Sequence, residues 1–139
     1  MDKITNPPQL DPDQQAALAQ GRCSQPFSIL GPRPQGDGQW LTVFHPDLAA
    51  LSAVGPAGTV PLPRVAGDLF AGPIPAGPYR LKARSGGGVE WTFEDPYRFG
   101  PVLGEIDLHL LAEGTHRRLW RVLGAHVMTH EGVAGTHFA

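Results

Sequence analysis

Four histidines, His116, His126, His130 and His137, fall in one stretch of the chain, and imidazoles gathered in this way are the usual raw material of a zinc site. Such a site needs ligands at short, repeated separations, and a cysteine partner commonly supplies part of the set. None of these spacings fits that pattern, and the single cysteine, Cys23, lies far away in sequence. The histidines read as solvated loop residues, and no metal ligand is assigned. Glu94 and Asp95 are the adjacent carboxylates that invite an acid–base reading. Neighbouring strand residues point to opposite faces, so the two side chains diverge instead of flanking one bond. Asp95 before Pro96 reads as a turn former. The glycine runs at 36–38 and 86–88 carry neither a dinucleotide-binding nor a phosphate-loop pattern, and they join strands. No catalytic residue and no cofactor site follow from any of these motifs.

The aromatic residues are better candidates, because sugar rings stack on indole and phenol faces. Trp91 shares a strand face with Val89 and Phe93, and an aromatic on the apolar face of an alternating strand belongs in the core. Trp120 falls in a helical stretch near the end of the chain, where packing between domains is the stronger reading. Trp40 opens a strand after Gly38 and is the one aromatic proposed for contact with a sugar ring.

These residues must be positioned by short elements. The chain of 139 residues contains 18 Gly and 15 Pro, which break it every few residues and favour strands joined by tight turns over long helices. Residues 1–10 read as a mobile lead-in. Asp11 can cap a helix over 12–20, with Pro12 at its first position and Gly21 as a left-handed stop. Only Ala16, Ala17, Leu18 and Ala19 of that helix can face a core. Four strands follow at PFSILG, WLTVFHP, ALSAVG and TVPLPRV, each bounded by Gly or Pro. The clearest pattern is a hairpin. Tyr79, Leu81 and Ala83 alternate with Arg80, Lys82 and Arg84, and beyond Ser85–Gly88 the residues Val89, Trp91 and Phe93 alternate with Glu90, Thr92 and Glu94. One face is apolar, and the other carries opposite charges that can pair across strands. Two short helices are expected over about 105–112 and 115–123, then a hairpin over 126–139 that stops within its second strand.

Composition excludes some partners. With 11 basic and 13 acidic side chains interspersed, the formal charge is -2, so no basic stripe exists to neutralise a phosphate backbone. No apolar run approaches the roughly 20 residues that span a bilayer. Neither nucleic acid nor membrane is expected as a partner. A polar amino terminus without an apolar signal segment and a lone cysteine point to a cytoplasmic setting.

The run DPYRFGP at 95–101, LLAEGTH at 110–116, LGAH at 123–126 and a Gly-Val-x-Gly-x-x-Phe ending at Phe138 resembles the passage from the first to the second amino-terminal domain of bacterial glycogen branching enzymes. PFSILG at 26–31 and LFAGPIP at 69–75 fall where that family has similar segments. One departure is that Pro32 and Arg33 stand where the family tends to carry a residue and then His. The resemblance implies an all-β, immunoglobulin-like β-sandwich with a short N-terminal helix and short linker helices near the C-terminus. Its expected extents are a lead-in and helix over 1–20, the sandwich over 21–107, and linker helices with the start of a second sandwich over 108–139. In the family a second sandwich and a (β/α)8 barrel follow in the same chain. The barrel cuts α-1,4-linked glucan and rejoins it through α-1,6 bonds, with one carboxylate as nucleophile and a second as acid and base. The implied role of these residues is a non-catalytic module that positions α-glucan and influences transferred chain length. The alternative is an autonomous glucan-binding sandwich that anchors the enzyme to glycogen.

Overall fold

A computed structural model describes residues 10–139, so the expected lead-in lies outside it except for Leu10. The described residues form two compact units, one reaching to Arg98 and the other spanning Phe99–Ala139. This division falls ahead of the boundary expected at 107.

The first unit opens with α1, Pro12–Ala19. The Asp11 carboxylate accepts the Asp13 backbone N–H at 3.2 Å, and the Gln14 side chain accepts that of Asp11 at 3.3 Å, so two otherwise orphaned donors are satisfied. Gly21, at φ +66°, ends the helix, and the Arg22 N–H returns to the Ala17 carbonyl at 2.8 Å. Leu18 alone is fully buried. It packs with Leu30 and Leu69, with Phe44 and Tyr97 alongside.

Eight strands follow: β1 Gly31–Gln35, β2 Gly38–Phe44, β3 Leu48–Gly55, β4 Gly58–Leu62, β5 Arg64–Ala66, β6 Leu69–Pro75, β7 Arg80–Ser85 and β8 Glu90–Phe93. They form two antiparallel sheets in the orders β1-β2-β6-β5 and β4-β3-β7-β8. Leu41, Val43, Phe70 and Ile74 of the first sheet meet Leu51, Ala53, Leu81 and Ala83 of the second in one core, which makes the unit an all-β sandwich. Burial alternates along β7 as the sequence pattern requires.

Two strand expectations are corrected, and two strands appear where none was assigned. PFSILG is not a strand: Pro26–Ser28 form a 3-10 turn, where the proline's fixed φ suits the first position, and pairing begins only at Gly31. TVPLPRV is two strands in different sheets, parted at Pro63, whose missing N–H cannot continue a ladder. GPRPQ and LFAGPIP are strands despite two prolines each. In β1, an edge strand, Pro32 and Pro34 are two residues apart and so direct their ring nitrogens to the same, unpaired side. In β6, Pro73 and Pro75 lie beyond the short reach of β5, which pairs only near Leu69 and Phe70.

The second unit contains α2, Glu105–Glu113, and the hairpin of β9, Ala125–His130, with β10, Val133–Phe138. The helix expected over 115–123 is reduced to a 3-10 turn at Leu119–Arg121. Gly114 ends α2 at φ +70°, and His116 holds the next bend: its Nδ1 accepts the Arg118 N–H at 3.1 Å while its Nε2 lies 2.9 Å from Asp107 Oδ1. Among the described residues no helix is long and apolar enough to cross a membrane.

Candidate functional site

The inner face of the first sheet continues past Leu41 and Val43 to His45, and the inner face of the second continues along β8 through Phe93 and Trp91. These rings converge at the rim of the sandwich. The His45 ring centroid lies 5.6 Å from that of Phe93 and 6.4 Å from that of Trp91, with interplanar angles of 57° and 59°. His45 is half-buried, and its backbone N–H donates to the Asp68 carbonyl at 3.0 Å. Its Nδ1 is 2.9 Å from the Pro46 carbonyl. A carbonyl only accepts, so Nδ1 carries the proton, and in the neutral ring Nε2 is left as an acceptor.

Trp91 was expected in the core, and its surroundings correct that. It is 37% exposed, and Val89, 65% exposed, lies beyond the last paired rung at Arg84↔Glu90. β8 is an edge strand, so residues on its inner face overhang the core, whose buried members come from β7 and the strands behind it. Phe93 still packs against that core; Trp91 shows part of its ring to solvent. The outer face behaves as expected. Arg80 pairs with Glu94 at 3.3 Å and Lys82 with Glu90 at 3.4 Å across the hairpin. Exposed pairs of this kind contribute at most about 1 kcal/mol each.

Glu94 and Asp95 diverge. Glu94 turns outward to Arg80 and to Arg98, 3.0 Å away, whereas Asp95 is 1% exposed. The Tyr79 hydroxyl donates to Asp95 Oδ2 at 2.6 Å, and the Tyr97 backbone N–H donates to Oδ1 at 3.0 Å. The second bond is the expected turn; the burial and the tie to Tyr79 were not foreseen. Burial pushes the Asp95 carboxyl above its usual range, against the Tyr79 and Tyr97 hydrogen bonds. The Tyr79 phenol is raised as well, first by burial and then by its bond to Asp95. The pair locks the start of β7 to the 95–98 turn. Tyr97 also closes over Gly31: at φ +96°, a Cβ there would meet the Tyr97 carbonyl oxygen at 2.5 Å, so only glycine fits.

Trp40 stands on the outer face of the first sheet, on one rung with Arg33 and Pro73. It is half-buried, and its indole Nε1 is enclosed without a hydrogen-bond partner among the described residues. Trp120, on the 3-10 turn of the second unit, is 67% exposed. The histidines of that unit are not solvated loop residues, which corrects the expectation. His116 meets Asp107; His126 Nε2 bonds the Leu123 carbonyl at 3.0 Å, and His130 Nε2 the Gly100 carbonyl at 2.8 Å. His126 and His137 face each other on one rung of β9 and β10. The hydrogen bond from His116 draws the Asp107 carboxyl below its usual range. Of the rim residues, sequence reasoning passed over His45, although alternation after Leu41 and Val43 puts a polar ring on an apolar face.

The first unit is thus an all-β sandwich with a short helix packed on the outer face of one sheet. Residues 11–97 match the family model described as alpha-1,4-glucan branching enzyme GlgB, N-terminal domain, and the chain belongs to that family. It is 48% identical over 129 residues to a 1,4-alpha-glucan branching enzyme GlgB from Rhodopseudomonas palustris (strain HaA2), covering 91% of this chain and 18% of that protein. Proteins of the same name from Roseobacter denitrificans and Paramagnetospirillum magneticum are each 44% identical, over 88% of this chain and 18% and 17% of theirs. The chain thus spans less than a fifth of the length of these relatives.

Proposed function

We propose that this chain is a non-catalytic amino-terminal module of a cytoplasmic 1,4-alpha-glucan branching enzyme, and that it positions α-glucan and influences the length of the transferred segment. The observation that carries this reading is the family match over residues 11–97, nearly the whole sandwich unit. Within it, the chemistry belongs to a barrel elsewhere in the enzyme, Trp120 packs against following chain, and Trp40 offers a secondary glucan contact. Contacts remote from the reacting bond fix the register of a long substrate, so their loss changes which bond reacts more than whether one reacts. The test is deletion of residues 1–98 from the intact enzyme, followed by debranching of the product at matched conversion. A shifted chain-length distribution with branching retained supports the reading. An unchanged distribution with weaker glycogen binding favours the anchoring alternative, since a tether raises local concentration without setting register.

A further inference from the structure

The geometry points to the rim formed by Trp91 and His45 as an α-1,4-glucan contact site, with the Trp91 ring as the stacking surface and His45 Nε2 as acceptor for a sugar hydroxyl. This rests on the proposed reading that the module touches glucan, and it names the residues that do so. Three observations carry it. Trp91 lies on the apolar face of its strand yet is 37% exposed, so part of this residue reaches solvent beside a packed core. His45 is oriented by its Nδ1 bond to the Pro46 carbonyl, which leaves Nε2 free to accept among the described residues. A sugar hydroxyl donates well to such a nitrogen, and an oriented acceptor loses less entropy on binding than a mobile one. Finally, the two rings are inclined at 59°, with centroids 6.4 Å apart. With the indole as the flat surface and the imidazole inclined to it, one sugar ring stacked on Trp91 can turn a hydroxyl toward the edge of His45. That the sugar belongs to an α-1,4-glucan follows from the proposed function.

The test uses the 139-residue chain with its three indoles resolved by NMR, titrated with maltoheptaose and, separately, with cellohexaose. The Trp91 indole signal is expected to move with maltoheptaose and to stay unmoved with cellohexaose at equal concentration, while Trp120 stays unmoved with both. Trp91→Ala should weaken maltoheptaose binding by about tenfold, the order expected for loss of an aromatic contact. His45→Ala should weaken it severalfold. A stationary Trp91 signal, an equal response to cellohexaose, or unchanged affinity in folded Trp91→Ala would each overturn the assignment. Should that variant not fold, the response of Trp91 in the unaltered chain still decides. The two readings fail separately: a silent Trp91 alongside altered chain lengths on deletion sinks this site alone, whereas a responsive Trp91 alongside unchanged lengths sinks the proposed function alone.

Discussion

Asp95 spends its hydrogen-bonding capacity on Tyr79 and Tyr97 in a place water scarcely reaches, and the penalty for ionising there outweighs what the two donors return. Its proton is held more tightly in the folded chain than in the unfolded one. The stability this group contributes is therefore fully present below the ordinary carboxylate value and is lost as pH rises through the raised value. Asp95→Asn removes the ionisation while its amide can still accept from the Tyr97 N–H and donate to the Tyr79 oxygen. Its stability at pH 7 should equal or exceed that of the parent, with a flatter dependence between pH 4 and 7. Asp95→Ala, which strands the Tyr79 hydroxyl, should cost about 2 kcal/mol. Urea unfolding of both variants at the two pH values checks this, and an Asp95→Asn chain weaker than Asp95→Ala would refute it. Asp107 has the opposite sign. Its carboxyl lies below the usual range because His116 bonds to it, so its contribution is present above the ordinary value and fades as pH falls through the lowered one. His116→Ala should return the Asp107 titration, followed by carboxyl NMR, toward the ordinary range; an unmoved titration would remove His116 as the cause.

Among the elements, the 79–93 hairpin was legible in the sequence because period-two alternation reports facing directly, and the pairing of basic with acidic side chains across its outer face follows from that pattern. The depth of each position was not legible. Alternation shows that Trp91 and Leu81 share a face, but only the sheet order shows that one overhangs an edge while the other is enclosed. The costs of truncation should differ accordingly. Leu81→Ala, at 0% exposure, should destabilise by about 3 kcal/mol, and Trp91→Ala, despite its larger ring, by about 1–2 kcal/mol. Thermal or denaturant melts of the two variants decide; a greater loss for Trp91 would return it to the core. No strand was assigned to GPRPQ or LFAGPIP from the sequence, and their prolines are tolerated because their nitrogens face a side that no strand pairs at those positions, a property of strand order that lies outside either segment. Helix α1 was readable because its caps are local: Asp11, Gln14 and Gly21 act within a few residues of the turns they satisfy.

For the molecule as a whole, what could be read from the sequence alone was the family, carried by runs such as DPYRFGP, whose Asp95 and Tyr97 now prove to be the residues that fasten the end of the sandwich. The aromatic rim was not readable, because His45 and Trp91 are far apart in the chain and meet only when the two sheets pack. That placement bears on how the intact enzyme should respond to substrate length. A module contact away from the reacting bond can act only on a glucan long enough to reach it, so short donors gain nothing from it. On the proposed function, binding realised there would lower the barrier for long chains by holding the reacting segment in place, and a well-oriented contact of this kind is worth about tenfold in rate. Deleting residues 1–98 should therefore lower kcat/KM on amylose by about tenfold while leaving that on the shortest productive maltooligosaccharide within about twofold. Trp91→Ala in the full-length enzyme should reproduce much of the amylose effect if the rim is the contact. The measurement is a series of donors of increasing length assayed for branch formation with both forms. Equal losses at every length would mean that the deletion harms the barrel's stability or geometry instead of substrate register; no loss at any length would leave the module without a positioning role.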